Sequence, residues 1–122
     1  MKRKILEIPP VLYGYSDNGV FYSCEPSLED IQLAIKESQL EERGFQSHLE
    51  ELKTEWQAKA KTRPKYDDLV RIYHARRIAQ FVVHGWTAPI ILTADGRMND
   101  GLHRLKAAIF NGMEEVEVTF LK

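Results

Sequence analysis

At 122 residues, 43% of them hydrophobic and 29% charged, the chain has the size of one globular domain with a single core. No apolar run approaches the roughly 18 residues of a membrane span, and the opening Met-Lys-Arg-Lys-Ile-Leu-Glu-Ile has neither the apolar segment nor the cleavage site of a signal peptide, so a cytoplasmic protein is expected. A net charge of −1 lacks the basic excess of proteins that grip a duplex through its phosphates alone.

In chain order, the run Ile5-Leu-Glu-Ile8 reads as a strand. Val11 to Tyr15 and Val20 to Cys24 flank Ser16-Asp-Asn-Gly19 as a β-hairpin, because Asn-Gly between two β-rich runs suits a two-residue turn. Cys24, the single cysteine, can form no internal disulfide or cysteine cluster and reads as a small buried apolar side chain. Ser27 with Asp30 resembles a capping box, and Leu28, Ile31 and Ile35 recur at helical spacing until Gly44, which predicts a helix over 28–42. Ser47 and Glu50 repeat the pattern ahead of Leu49, Leu52, Trp56 and Ala60, predicting a second helix to about residue 60. This acidic pair forms an insert over about 27–61, with charged faces left to solvent or a partner protein.

From Tyr66 the pattern is helical again, with Ala75, Ile78, Ala79 and Val82 as the apolar stripe, until Gly85-Trp-Thr-Ala-Pro89 ends it. Ile90, Ile91 and Leu92 read as a buried strand and Asp95-Gly96 as a turn. A helix follows from about Leu102 to Phe110, stopped by Asn111-Gly112, and Val116, Val118 and Phe120 alternate as a closing strand. Strands at both ends with helices between them predict an α+β class with a mixed sheet.

The stretch that carries chemistry is Asp95-Gly-Arg-Met-Asn-Asp-Gly-Leu-His-Arg-Leu-Lys-Ala-Ala108, in which a glycine opens a helix bearing His103 and Arg104. The first N–H groups of a helix have no partner within it and carry a partial positive charge, so cationic side chains in that first turn make a cradle for phosphate. Residues 1–60 hold 7 basic and 11 acidic side chains and residues 61–122 hold 10 and 7, so the cradle lies in the half suited to an anion. The planar fork of Arg104 matches two phosphate oxygens, against a surface ion pair as the plainer reading. His103 suits a phosphate donor, with proton transfer as the alternative. Asp100 reads as the N-cap of the helix, with Mg²⁺ binding as the alternative. Gly101 allows either a close approach of phosphate or a left-handed turn. His74 and Arg77 share a helix face and offer a second wall for an anion, or else a solvated face on which Arg77 pairs with Asp67 or Asp68.

The order Arg77-Ile78, Gly85-Trp86, Pro89-Ile90, Asp95-Gly96, Asp100-Gly-x-His-Arg-Leu-x-Ala-Ala108, Gly112 and a final Val-rich strand resembles the ParB and sulfiredoxin fold over about residues 62–122. The resemblance implies a single ParB/sulfiredoxin-like domain over 1–122. It also implies that Gly101, Leu102, His103 and Arg104 hold the phosphates of CTP, ATP or ADP, with Mg²⁺, and that Arg63 stands where ParB proteins carry a phosphate-touching arginine, although its spacing to Gly85 differs. Branches of this fold act as CTP-dependent DNA clamps, sulfinic acid reductases, free-serine kinases or nucleases, so the fold does not choose the chemistry. Sulfiredoxins place a catalytic cysteine just before His-Arg; Leu102 stands there, which rules that activity out. ParB clamps continue into a further helical region, whereas this sequence runs to Lys122, which argues against a sliding clamp.

Two functions follow as expectations. One is a nucleotide-binding domain that hydrolyses a phosphoester or transfers a phosphoryl group, with His103 and Asp100 as catalytic candidates, in a plasmid- or phage-related DNA process. The other is a catalytically inactive scaffold of the same fold that meets a protein or DNA.

Overall fold

In the computed structural model residues 1–44 and 63–122 are described, and they form an α+β architecture. The elements are β1 (Lys2–Lys4), β2 (Gly14–Asp17), β3 (Val20–Ser23), α1 (Leu28–Lys36), α2 (Arg63–His84), β4 (Ile90–Leu92), β5 (Met98–Asp100), α3 (Leu102–Phe110) and β6 (Glu115–Phe120). They group into two compact units, a sheet unit of Met1–Val11 with Ile78–Lys122 and a hairpin unit of Leu12–Arg77. Helix α2 contributes to both, changing units between Arg77 and Ile78.

The sheet unit is a mixed four-stranded sheet in the order β1-β6-β4-β5. β6 runs parallel to β4, while β1 and β5 flank this pair antiparallel. β6 alternates strictly, with Val116 and Val118 buried and Glu115, Glu117 and Thr119 exposed, the period of a sheet with one covered face. That face carries the core: Leu105 and Ala108 of α3 pack with Ile90, Leu92, Val116, Val118 and Ile8, and Trp86, Leu102 and Met98 close its margin. Thr93 to Arg97 makes the β4–β5 turn, with Gly96 at φ 87° and the Thr93 hydroxyl bonded to the Asp95 carboxylate.

The N-terminal strand lies earlier than the sequence suggests. β1 pairs through Lys2, Arg3 and Lys4 with Glu117, Val116 and Glu115, and Ile5 to Glu7 forms a single 3₁₀ turn closed by Ile8 N–H on the Ile5 carbonyl. Strand pairing is a main-chain property here, and the turn leaves Leu6 98% exposed, so the apolar run did not mark the strand.

In the hairpin unit β2 and β3 pair around Asn18-Gly19, whose φ angles of 51° and 78° make the turn that matches strand twist. Gly14 is required by space: a Cβ there would stand 2.4 Å from the Tyr22 carbonyl oxygen. The Ser27–Asp30 capping box forms in full, Ser27 Oγ accepting from Asp30 N–H and Asp30 Oδ2 from Ser27 N–H. Helix α1 then ends at Lys36, not near 42. Ser38 at φ 53° donates to Ile35 and Gln39 donates to Ala34, a Schellman arrangement that satisfies the last carbonyls without glycine. The chain after it is strapped to α2, where Arg76 bonds Gln39 Oε1, Tyr73 the Arg43 carbonyl, and Arg77 the Glu41 and Glu42 carbonyls. The second helix expected at 47–60 lies outside the described residues. Among the described residues no helix is long and apolar enough to cross a membrane.

Leu105, 4% exposed, carries α3 onto the sheet. Leu105→Ala is expected to cost about 2–5 kcal/mol through the cavity it leaves, read as a fall in the urea unfolding midpoint; a loss under about 1 kcal/mol would mean the helix does not pack as described.

Candidate functional site

The candidate anion site is a strand-to-helix transition made in one residue. β5 is still paired at Asp100, which lies opposite Ile91, and α3 begins at Leu102, so Gly101 alone turns the chain. It does so at φ 99°, ψ 25°, a left-handed conformation that costs a side-chain-bearing residue on the order of 1–3 kcal/mol. Gly101 is therefore the N-cap, which corrects the reading of Asp100 in that role: Asp100 is held as strand, and no side chain caps the helix. The cap residue itself therefore offers the first-turn N–H groups no side-chain acceptor.

Arg104 folds back over this turn. Its side chain is only 13% exposed, its Nη1 donates to the Ala88 carbonyl at 3.1 Å, and its Nη2 lies 3.9 Å from an Asp100 carboxylate oxygen. The guanidinium lies so close to Gly101 that a Cβ there would stand 2.7 Å from Nη2 and displace the end of that side chain, while φ is what requires glycine. Leu102 faces the core margin, leaving its main chain to the site, and His103 is half-buried beside it.

Asp100, Gly101, Leu102, His103 and Arg104 thus stand together in the sheet unit. Arg63 and Arg77 belong to the hairpin unit; Arg63 opens α2, and Arg77 donates to the carbonyls of Glu41 (3.3 Å) and Glu42 (2.7 Å). The other candidate carboxylates are engaged elsewhere. Asp95 accepts from Thr93, which holds its carboxyl below the usual range, Asp67 accepts from Tyr15, and Asp68 pairs with Arg71 at 3.4 Å. Among the described residues no group of three or more His, Cys, Asp or Glu side chains could hold a metal ion.

The structure also holds a feature that sequence reasoning passed over. In the hairpin unit a cavity of about 560 Å³ is walled by Tyr13, Tyr15, Tyr66 and His74 with Leu12, Gly14, Cys24 and Val70. Tyr13 stacks on His74 with centroids 3.8 Å apart, and Tyr22 and Tyr73 back this wall through Tyr15 and His74, so all five tyrosines of the chain join one cluster. Asp67 Oδ1 accepts from the Tyr15 hydroxyl at 2.7 Å and faces the Cys24 thiol at 3.9 Å. Burial, helped by Asp67, pushes the Cys24 thiol up to about 11, and burial pulls His74 down to about 4. The legible signal was spacing: Tyr13 and Tyr15 at period two, Tyr66, Val70 and Tyr73 at helical period.

Comparison with protein-family models, with curated proteins and with solved structures finds no match to this chain.

Gly101→Ala is expected to cost about 1–3 kcal/mol in urea unfolding, from backbone strain at its positive φ; a neutral result would refute the left-handed cap. His74 makes stability pH-dependent. Its folded pKa of about 4 lies below the ordinary 6.5, so the unfolded chain binds the extra proton in between; the stability is complete above 6.5 and is lost as pH falls towards 4. Between pH 7 and pH 5 the loss should be about 2 kcal/mol, and His74→Phe should flatten that slope. Equal slopes in both proteins would show that His74 is not held neutral.

Proposed function

We propose that this chain is a nucleotide-binding domain of ParB/sulfiredoxin-like kind, in which the start of α3 holds the phosphates of CTP, ATP or ADP. The observation that carries the reading is a helix start capped by a left-handed glycine and no side chain, with an arginine guanidinium against it. The order strand, turn, strand, glycine, helix, strand over Ile90 to Phe120 supports it.

In this reading the main-chain N–H groups of residues 102–104 and the helix dipole attract the phosphate, and Arg104 supplies a two-pronged partner through the guanidinium edge not bonded to Ala88. Leu102 anchors the turn in the core while its main chain contributes, and His103 donates to a phosphate oxygen or moves a proton. Asp100 has a side chain 69% exposed. A single carboxylate fits Mg²⁺ carried in by nucleotide phosphates, with Asp100 as one ligand, and does not build an ion site held by the protein alone. When bound, the ion would supply charge stabilisation on the phosphate oxygens. Hydrolysis or phosphoryl transfer at such a site rests on positioning and charge, which Arg104 and His103 provide.

A second reading, an inactive scaffold that meets a protein or DNA, is favoured by one observation. Arg104 already ties the Ala88 carbonyl to the helix start, a structural task that needs no ligand.

Calorimetric titration with CTP, ATP and ADP, each with and without Mg²⁺, separates the two. Micromolar binding of at least one nucleotide is expected, lost in Arg104→Ala at unchanged circular dichroism and weakened in Asp100→Asn only when Mg²⁺ is present. Silence with all three, or undiminished affinity in Arg104→Ala, would overturn the nucleotide site in favour of the scaffold.

A further inference from the structure

We propose that the tyrosine-walled cavity of the hairpin unit binds an organic cation of the alkylated ammonium class. The proposal is independent of the helix-start site and of the phosphate chemistry assigned to it.

The walls suit a cation. Tyr13, Tyr15 and Tyr66 bring ring surface to a space of about 560 Å³, within the range of small-molecule sites. Aromatic faces carry the negative part of the ring quadrupole, and clustered rings are the usual receptor for ammonium groups whose alkyl substituents prevent hydrogen bonding. Tyr15 is polarised further, because its hydroxyl donates at 2.7 Å to the Asp67 carboxylate, which shifts electron density into the ring.

Two carboxylates stand behind the walls, and Arg77 acts on the Tyr13 hydroxyl from outside the described lining. Asp67 sits behind Tyr15, and Glu25 accepts from the Tyr13 main-chain N–H at 2.8 Å. No lysine or arginine is among the described residues that line the space. His74, held neutral by burial, adds an aromatic face without repelling a cation. An ammonium group in this space meets aromatic walls with the Asp67 carboxylate behind Tyr15.

The same groups are poorly suited to catalysis. With its pKa raised to about 11 the Cys24 thiol is not a nucleophile near neutral pH, and His74 near 4 is a weak base there. What remains is recognition.

Choline and 3,3-dimethylbutan-1-ol test it, since the pair differs in N⁺ against C at nearly constant shape. Affinity is read from the tyrosine ring signals in NMR titrations of the whole chain. Choline is expected to bind at least about tenfold more tightly than the alcohol. Asp67→Asn, which preserves volume, should weaken choline at least about threefold and leave the alcohol unchanged, and Tyr66→Leu should weaken choline by at least as much. Either variant suffices if the other fails to fold. Equal affinities for the two probes, no shift with choline, or a choline preference that survives in the folded variants would overturn the proposal.

Discussion

A strand that becomes a helix within one residue needs a backbone that only glycine adopts without strain, and the sheet unit is arranged around that requirement at Gly101. β5 keeps its pairing with β4 up to Asp100, and α3 starts at Leu102, so the direction of the helix is set by the turn and not by a flexible loop. Because the helix leaves the sheet edge at a fixed angle, Leu105 and Ala108 meet Ile90, Leu92, Val116 and Val118 on the sheet's covered face. Packing and turn support each other. The apolar stripe is useful only if the turn aims it, and the turn's strain is sustained because the stripe is buried.

The same turn gives the helix two edges with different duties. Leu102, Leu105 and Ala108 recur at three-residue spacing toward the core, while His103 and Arg104 occupy the first turn with its main-chain N–H groups. The main-chain donors of a helix start are already ordered by folding, unlike those of mobile surface side chains. Arg104 is pre-positioned by the Ala88 carbonyl and by contact with Gly101. Its cost in side-chain entropy is therefore met on folding.

How much of this was legible depended on whether the signal was local. The Asn18-Gly19 turn, the Ser27–Asp30 box, the β4 and β6 strands and the bounds of α3 follow from short-range chemistry and were read directly. The strand at Lys2–Lys4 was not, since its register comes from hydrogen bonds to β6, more than a hundred residues away. The end of α1 was misplaced because Ser38 takes the left-handed position usually given to glycine, and Gly44 looked like the natural stop. Asp100 was read as a cap on composition alone, although the paired strand leaves it no freedom to be one. Of the candidate site, residues 101–104 could be read because they are contiguous. The tyrosine cluster could not be assembled from sequence, because it joins a hairpin to a helix some fifty residues on.

That difference has a physical root. A helix start advertises its chemistry through main-chain groups whose positions are fixed by sequence order, whereas an aromatic cavity is chemistry by convergence, in which each residue taken singly has an ordinary core role. Tyr13 and Cys24 are buried and would pass for packing. What marks the cluster is Asp67, which takes the Tyr15 hydroxyl and faces the Cys24 thiol from a half-buried position. Asp67 sets a carboxylate behind a phenol ring that lines the cavity, and no lysine or arginine is among the described lining residues. A core needs only apolar walls for packing, and a carboxylate placed behind the rings that line a cavity is the reason to assign that cavity a ligand.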